Sequence, residues 1–344
     1  MFFGTLTQVP TDLDQVLDPA MVARLERLDV ASRKTFAGKL QGERRSKRRG
    51  RSVEFDDYRA YTPGDDLRFV DWNVLARLDR FFIKLFQDEQ DLALHVILDV
   101  SPSMNAGAGD GNKLLFGARL AASLGALGLI NNNRVMVSLV GDTRLGLRRL
   151  EPLRGRRNLP RFGRFILDEA FAGIGSTPAG RAGPVIAGDL AAGMRLLAAD
   201  AARSGSGVTV IISDLLLPPM TPEPGCLAAL RPMAATAGNA GHDVYVLQTL
   251  SPEEIDPAGE AQRDPQIRRM LSGDMRLSDS ETGRGVEVTI TPELLREASG
   301  RSSRFVRSVG RGCSAMGLVH ELVPSTTDIA VLLIETLRSR GMLR

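Results

Sequence analysis

Residues 92–104 read LALHVILDVSPSM, and every residue from Leu92 to Leu98 is apolar except His95. So short an apolar run, closed by turn-forming residues, predicts a strand covered on both faces of a sheet. Its end differs in character. Asp99, Ser101 and Ser103 set oxygen side chains at alternate positions where the strand opens into a loop. In an open α/β sheet, ligands bind outside the carboxyl ends of the strands. One carboxylate and two hydroxyls converging there suit a hard divalent cation, Mg2+ first, with Mn2+ or Ca2+ as alternatives.

Outward from this strand the chain alternates. A Gly-rich loop, Ala106 to Asn112, precedes a helix from Lys113 to about Ile130 that is apolar almost all round. Arg134 to Val140 reads as a strand and Arg144 to Leu150 as a second, short one. A helix follows over Asn158 to Phe171, then a small-residue loop, Ala172 to Gly183, and a helix from Pro184 to Ala202. Gly207 to Ser213 is a second buried strand, ending at Asp214. Pro222 to Gly238 is helical and His242 to Leu250 a strand. Ser251 to Arg269 is polar and punctuated by Pro252, Pro257 and Pro265. Met275 to Leu277 and Val286 to Ile290 form a β-hairpin. A helix over Pro292 to Arg311, a strand over Gly317 to Val323 and a terminal helix from Ser325 to Arg340, capped by Ser325 or Thr326, complete the chain. This alternation predicts an α/β fold: a doubly wound, mostly parallel, Rossmann-like sheet with helices on both faces. The expected division is 1–90, a small N-terminal α+β segment, and 91–344, the α/β domain with a hairpin insertion near 271–291.

Assembled this way, the sheet brings three elements to one carboxyl edge: Asp99, Ser101 and Ser103; Asp214; and the loop residues Ser176 and Thr177. Two carboxylates with two or three hydroxyls and waters make an oxygen shell of low net charge. Mg2+ keeps several waters, which leaves a position for an outside carboxylate. That is a recognition device and needs no chemistry. Catalysis would need more. A phosphatase of the Asp-x-Asp kind wants a carboxylate where Ser101 stands, and a serine nucleophile wants a histidine base. His95 and His320 fall inside strands and His242 at a strand start. The loop from Gly107 to Lys113, GAGDGNK, lacks the spacing of a phosphate-binding loop. A metal-dependent phosphotransfer or hydrolytic enzyme is therefore the weaker alternative, and the chain is expected not to be an enzyme.

The composition is ordinary for a globular protein: 344 residues, 43% hydrophobic, 25% charged, net charge +3. Two cysteines, Cys226 and Cys313, read as reduced thiols. The opening MFFGTLTQVPTDLDQ lacks a basic segment followed by an apolar core, so no signal peptide is expected. Apolar runs of strand length predict no membrane span; the expected location is the cytoplasm. Asp18-Pro19 starts a helix, with Asp as cap and Pro at the first position, that continues to about Leu40. Next comes a run of Arg44, Arg45, Lys47, Arg48, Arg49 and Arg51. It is a candidate partner-binding patch, and a nucleic-acid-binding protein acting through it is the second alternative. Such a run is more often a solvated loop ion-paired to its neighbours, and no aromatic residues are interleaved for base stacking.

Residues 53–90 are compact and unusual. Val53 to Tyr61 reads as extended chain, Pro63-Gly64 as a turn and Arg80 to Phe86 as a strand; Asp65, Asp66, Arg68 and Asp71 gather near Trp72, the single tryptophan. Such a carboxylate-rich turn is a catalytic candidate, but it is more often an Arg–Asp network that holds an irregular loop in place.

The segment GERRSKRRGRSVEFDDYRAYTPGDDLRFVDWNVLAR, from Gly42, closely resembles the signature of the bacterial DUF58 family, which carries it just before a von Willebrand factor A-like domain. The first site motif, Asp99-x-Ser101-x-Ser103 followed by Met104, resembles that domain's metal-ion-dependent adhesion site. By that resemblance Thr177 and Asp214 take the places of its threonine and distal aspartate. Pro178 to Gly188 intervenes where the family runs directly into Asp-Leu, here Asp189-Leu190, so Ser176 is the alternative to Thr177. The resemblance, from about residue 18 to the end, implies a Mg2+-dependent protein-binding module whose partner offers an acidic residue to the metal. It further implies work with a MoxR-type AAA+ ATPase in chaperone-like assembly or maturation of other proteins.

Overall fold

The computed structural model describes residues 5, 6, 8–26, 28–31, 55–62, 67–86, 92–107, 109–142, 145–174, 189–204, 207–218, 223–238, 242–278 and 285–343. The chain divides into two compact units, residues 41–91 and the remainder.

In the smaller unit β1 (Phe55–Ala60) pairs antiparallel with β2 (Phe82–Phe86), as expected of extended chain on either side of a turn. A short helix lies between them in sequence. Asp71 starts it, accepting from the backbone N–H groups of Asn73 and Val74, and takes a further bond from the Tyr58 hydroxyl at 2.9 Å. One aspartate thus ties the helix to β1. Trp72 is 60% exposed, so it is not the centre of a buried network. Asp65 and Asp66 lie outside the described residues.

The larger unit opens with α1 (Pro19–Leu25), capped by Asp18. This unit groups residues 1–40 with 92–344 and leaves 41–91 to the smaller one. Leu25, Leu28 and Val30 are buried in the main core, Val30 bridges Leu343, and the Ala31 N–H donates to Met342 O. Apolar burial therefore draws this segment into the larger unit. The helix also ends at Leu25, far short of Leu40.

At the centre stands a six-stranded sheet: β3 (Ala93–Asp99), β4 (Arg134–Val140), β5 (Arg148–Leu153), β6 (Gly207–Ser213), β7 (His242–Leu250) and, beyond the hairpin strands β8 (Gly273–Ser278) and β9 (Gly285–Ile290), β10 (Val319–Pro324). Their order is β10-β7-β6-β3-β4-β5, and every pairing is parallel except β4 with the edge strand β5. The mostly parallel α/β sheet read from the sequence is therefore observed. Strand β5 lies later than expected, at Arg148–Leu153 rather than Arg144–Leu150. Only its end residues Arg148 and Leu153 are buried, and its register with β4 shifts, so no clean two-residue period marks this edge strand.

Every residue of β3 is buried. Leu94, Val96 and Leu98 pack into one core with α1, α2 (Lys113–Ile130) and α3 (Leu159–Ala170). Ile97 joins the opposite core with α4 (Leu190–Ser204), α5 (Gly225–Gly238) and α6 (Pro292–Ala315). The sheet is thus covered on both faces, and the two-residue period of the strand assigns each side chain. Cys226 and Cys313, both free and buried, belong to the second core; burial pushes each thiol up to about 12.

By length and composition the 18 residues of α2 could cross a bilayer. Gly117, Arg119, Gly125 and Gly128 interrupt its apolar runs. Eighty-nine per cent of it is buried, because the sheet, α1 and α3 surround it. Gly125 on α2 lets α3 approach closely: a Cβ there would fall 2.0 Å from the Phe162 ring.

The polar stretch after β7 is three short helices, Pro252–Ile255, Pro257–Arg263 and Pro265–Met270. Each proline is a first helical residue, and Ser251, Asp256 and Asp264 cap them in turn. These prolines start helices rather than break them. The hairpin β8–β9 follows as expected. The last helix begins at Ile329, capped by Asp328 rather than Ser325 or Thr326, and continues as a π-helical stretch over Leu332–Leu337.

Candidate functional site

From β3 the chain winds one way to β4; from β6 it winds the other way to β7 and β10. The reversal falls between β3 and β6, and the crevice at such a switch point is where open α/β sheets bind ligands. Asp99 is the last residue of β3, and Asp214 follows the last residue of β6.

Asp99 is 1% exposed and both its oxygens are held. Oδ1 accepts the Ser101 N–H at 2.9 Å, and Oδ2 accepts the Ser213 hydroxyl at 2.5 Å. The hydroxyls of Ser101 and Ser103 lie 3.1 Å apart. The three oxygen residues of the Asp-x-Ser-x-Ser motif are thus gathered at one place. Gly141, just after β4, makes the space. Its φ is +97°, and a Cβ there would stand 2.3 Å from Asp99 Oδ1. Burial, and next the charge of Asp214, raise the Asp99 carboxyl from 3.8 to about 7, against the opposing bonds from Ser213 and Ser101.

Asp214 is 1% exposed. Oδ1 accepts the Leu216 N–H at 3.1 Å, and the Gln248 amide donates to the Asp214 carbonyl at 3.2 Å. Oδ2 faces a residue the sequence reading missed. The Lys113 ammonium, on a fully buried side chain, donates at 2.8 Å to Asp214 Oδ2 and at 2.8 Å to Glu254 Oε1. Burial alone would lower this lysine; the two carboxylates outweigh it and the net direction is up. Glu254 is held above the ordinary carboxylate range by burial, with Lys113 opposing and Asp214 adding to the rise.

Both missed residues leave a trace in the sequence. Lys113, just after the cap Asn112, opens an apolar helix whose only other charge is Arg119. Glu254 closes the capping box Ser251-Pro-Glu-Glu, where its Oε2 accepts the Ser251 N–H at 2.9 Å. Neither pattern says that the two meet, since 141 residues separate them.

Thr177 and Ser176, with the 178–188 insertion, lie outside the described residues, as do Arg44, Arg45, Lys47, Arg48, Arg49 and Arg51. The three histidines are bonded elsewhere: His95 to Ser138 Oγ at 2.9 Å, His242 to Thr209 Oγ1 at 2.9 Å and His320 to Gln248 Oε1 at 3.0 Å. Among the described residues no group of three or more His, Cys, Asp or Glu gathers as metal ligands. The oxygen set at the edge is Asp99, Ser101, Ser103 and Asp214. That donor set suits a hard divalent cation that retains waters rather than a soft metal. With Glu254 and Lys113 included and all four groups ionised, the buried cluster carries three negative charges and one positive, an excess of two that a divalent ion would match.

The chain is 28% identical over 302 residues to uncharacterized proteins of Mycobacterium tuberculosis and Mycobacterium bovis, covering 87% of this chain and 84% of each relative. Among solved structures it is similar to the pilus adhesin SpaC from Lactobacillus rhamnosus GG, at 10% identity. That match covers 75% of this chain but 32% of the adhesin, with a TM-score of 0.34. The model of the family described as "Protein of unknown function DUF58" matches residues 57–308. That match takes in most of β1, the switch-point edge and most of α6, and on it the chain belongs to the DUF58 family.

Proposed function

We propose that the switch-point edge is a Mg2+-dependent docking site for a protein partner, built on a von Willebrand factor A-like domain. Asp99, Ser101, Ser103 and Asp214 would hold the ion, with Thr177 or Ser176 completing the set. The bound ion supplies one thing, an open position for an acidic residue of the partner. The resemblance of the 42–77 segment and of the Asp-x-Ser-x-Ser motif makes a MoxR-type AAA+ ATPase the proposed partner, in assembly or maturation of other proteins.

One observation carries this reading. Asp99 is buried beside Asp214 at the switch point, with its carboxyl pushed up to about 7. Two buried like charges are costly, and Lys113 pairs with Asp214 and Glu254, which leaves Asp99 with no cation beside it among the described residues. The chain's own residues do the rest: Ser101 N–H and the Ser213 hydroxyl fix the Asp99 plane, and Gly141 leaves its approach open.

Calorimetric titration with Mg2+, Mn2+ and Ca2+ tests the site, and co-purification with a MoxR-type AAA+ ATPase tests the partner. Binding is expected for the native chain and not for Asp99→Ala, with the association lost in chelator. A native chain that takes up none of the three ions sinks the reading of the site. An association unmoved by both chelator and Asp99→Ala sinks the reading of the contact.

A further inference from the structure

Lys113 is a costly residue where it stands. It is fully buried and begins α2, where the positive end of the helix dipole disfavours a cation. Its neighbours Leu114, Leu115 and Phe116 are buried in the core. It joins carboxylates that follow two different strands, Asp214 after β6 and Glu254 after β7. A structural clamp alone would need only one acid for one base. The second carboxylate leaves the cluster with an excess negative charge.

We infer that Lys113 and Glu254 set the charge, and so the affinity, of the cation site without being ligands. This rests on the cation reading given above. Lys113 is a positioning residue: with the Leu216 N–H on Oδ1, its bond to Oδ2 fixes the Asp214 carboxylate at both oxygens. Its charge also offsets one of the three acids. Glu254 restores the charge that Lys113 removes. The pair holds the excess at two, which matches a divalent ion and leaves little attraction for a second one.

Opposite effects on Mg2+ affinity follow from substituting the two partners. Lys113→Met takes the excess to three while the Leu216 N–H still holds Asp214, so Mg2+ binds more tightly. Glu254→Gln takes it to one, and Mg2+ binds more weakly although Glu254 does not touch the ion. Each change is expected to move the Kd roughly ten- to a hundredfold, since a unit charge acts strongly across a few ångströms of partly buried protein. The experiment is calorimetric Mg2+ titration of the full native chain and both variants, with a chemical melt of each in chelator. A tighter Lys113→Met with a weaker Glu254→Gln supports the inference. Variants that both weaken, or that match the native Kd, overturn it and leave the cation site standing. A native chain that binds no Mg2+ overturns the site reading and this inference together. If Lys113→Met fails to fold, Glu254→Gln decides the matter: an unchanged Kd overturns the inference and a weakened one supports it.

Discussion

Replacing Asp99 by asparagine removes a charge that the fold opposes, and the metal-free protein is expected to become more stable. The native carboxyl sits at about 7 against an ordinary 3.8, chiefly through burial and then through Asp214. A carboxyl raised in the folded state leaves the native protein unburdened below about pH 4. The burden grows as pH climbs and is complete above pH 7. A rise of that size sets a ceiling of about 4 kcal/mol at pH 8. Asparagine keeps an oxygen for the Ser101 N–H but turns its amide toward the Ser213 hydroxyl, so the bond at Oδ2 must be rearranged, at about 1 kcal/mol. A net gain of about 3 kcal/mol remains at pH 8; it falls as pH drops, crosses zero near pH 4, and below that leaves the variant less stable by up to about 1 kcal/mol, the cost of the rearranged bond. Urea melts of native chain and Asp99→Asn in chelator, at pH 8 and pH 4, measure it. A variant no more stable than native at pH 8, or a gap of equal size at pH 4, would refute the reasoning. Added Mg2+ should raise the midpoint of the native chain and leave that of Asp99→Asn in place.

Other outcomes follow from single contacts. Gly125→Ala drives a methyl into the Phe162 ring and should cost about 1–3 kcal/mol by forcing α2 and α3 apart, read as a lower urea midpoint with unchanged Mg2+ affinity. Gly141→Ala should instead weaken Mg2+ binding sharply, because its Cβ meets Asp99 Oδ1 and the φ of +97° is strained for alanine; an undiminished affinity would mean that the edge is not the ion's seat. His95, held down to about 4 by burial, stays neutral in the fold while the unfolded chain protonates below about 6.5. Stability should therefore fall as pH drops from about 6.5 to 4, and a His95→Gln chain should lose part of that slope. Trp72→Ala, at a side chain 60% exposed, should shift the melt by no more than about 0.5 kcal/mol.

The main strands and helices of the sheet domain are legible in the sequence because their signals are local. The apolar run of β3, the all-round apolar character of α2 and the turn residues between them are written in consecutive positions, and burial on both faces of the strand follows. Where local signals compete, the pattern misleads. Pro252, Pro257 and Pro265 read as interruptions, yet the serine or aspartate before each makes them helix starts. The helix at Pro19 stops at Leu25, and Val30 pairs with Leu343, a partner 313 positions away that no local pattern announces.

The candidate site divides the same way. Asp99, Ser101 and Ser103 form one motif, two residues apart, and the sequence by itself places their oxygens at a strand end. That β6 returns to lie against β3, so that Asp214 faces Asp99 across a switch point, is a property of strand order. Lys113 and Glu254 belong wholly to the tertiary structure. A lysine at a helix start and a glutamate in a capping box each have a sufficient local explanation, and nothing in either segment demands the other. Electrostatics at a buried edge depends on which charges are near and how little water lies between them, and only the packed fold sets both.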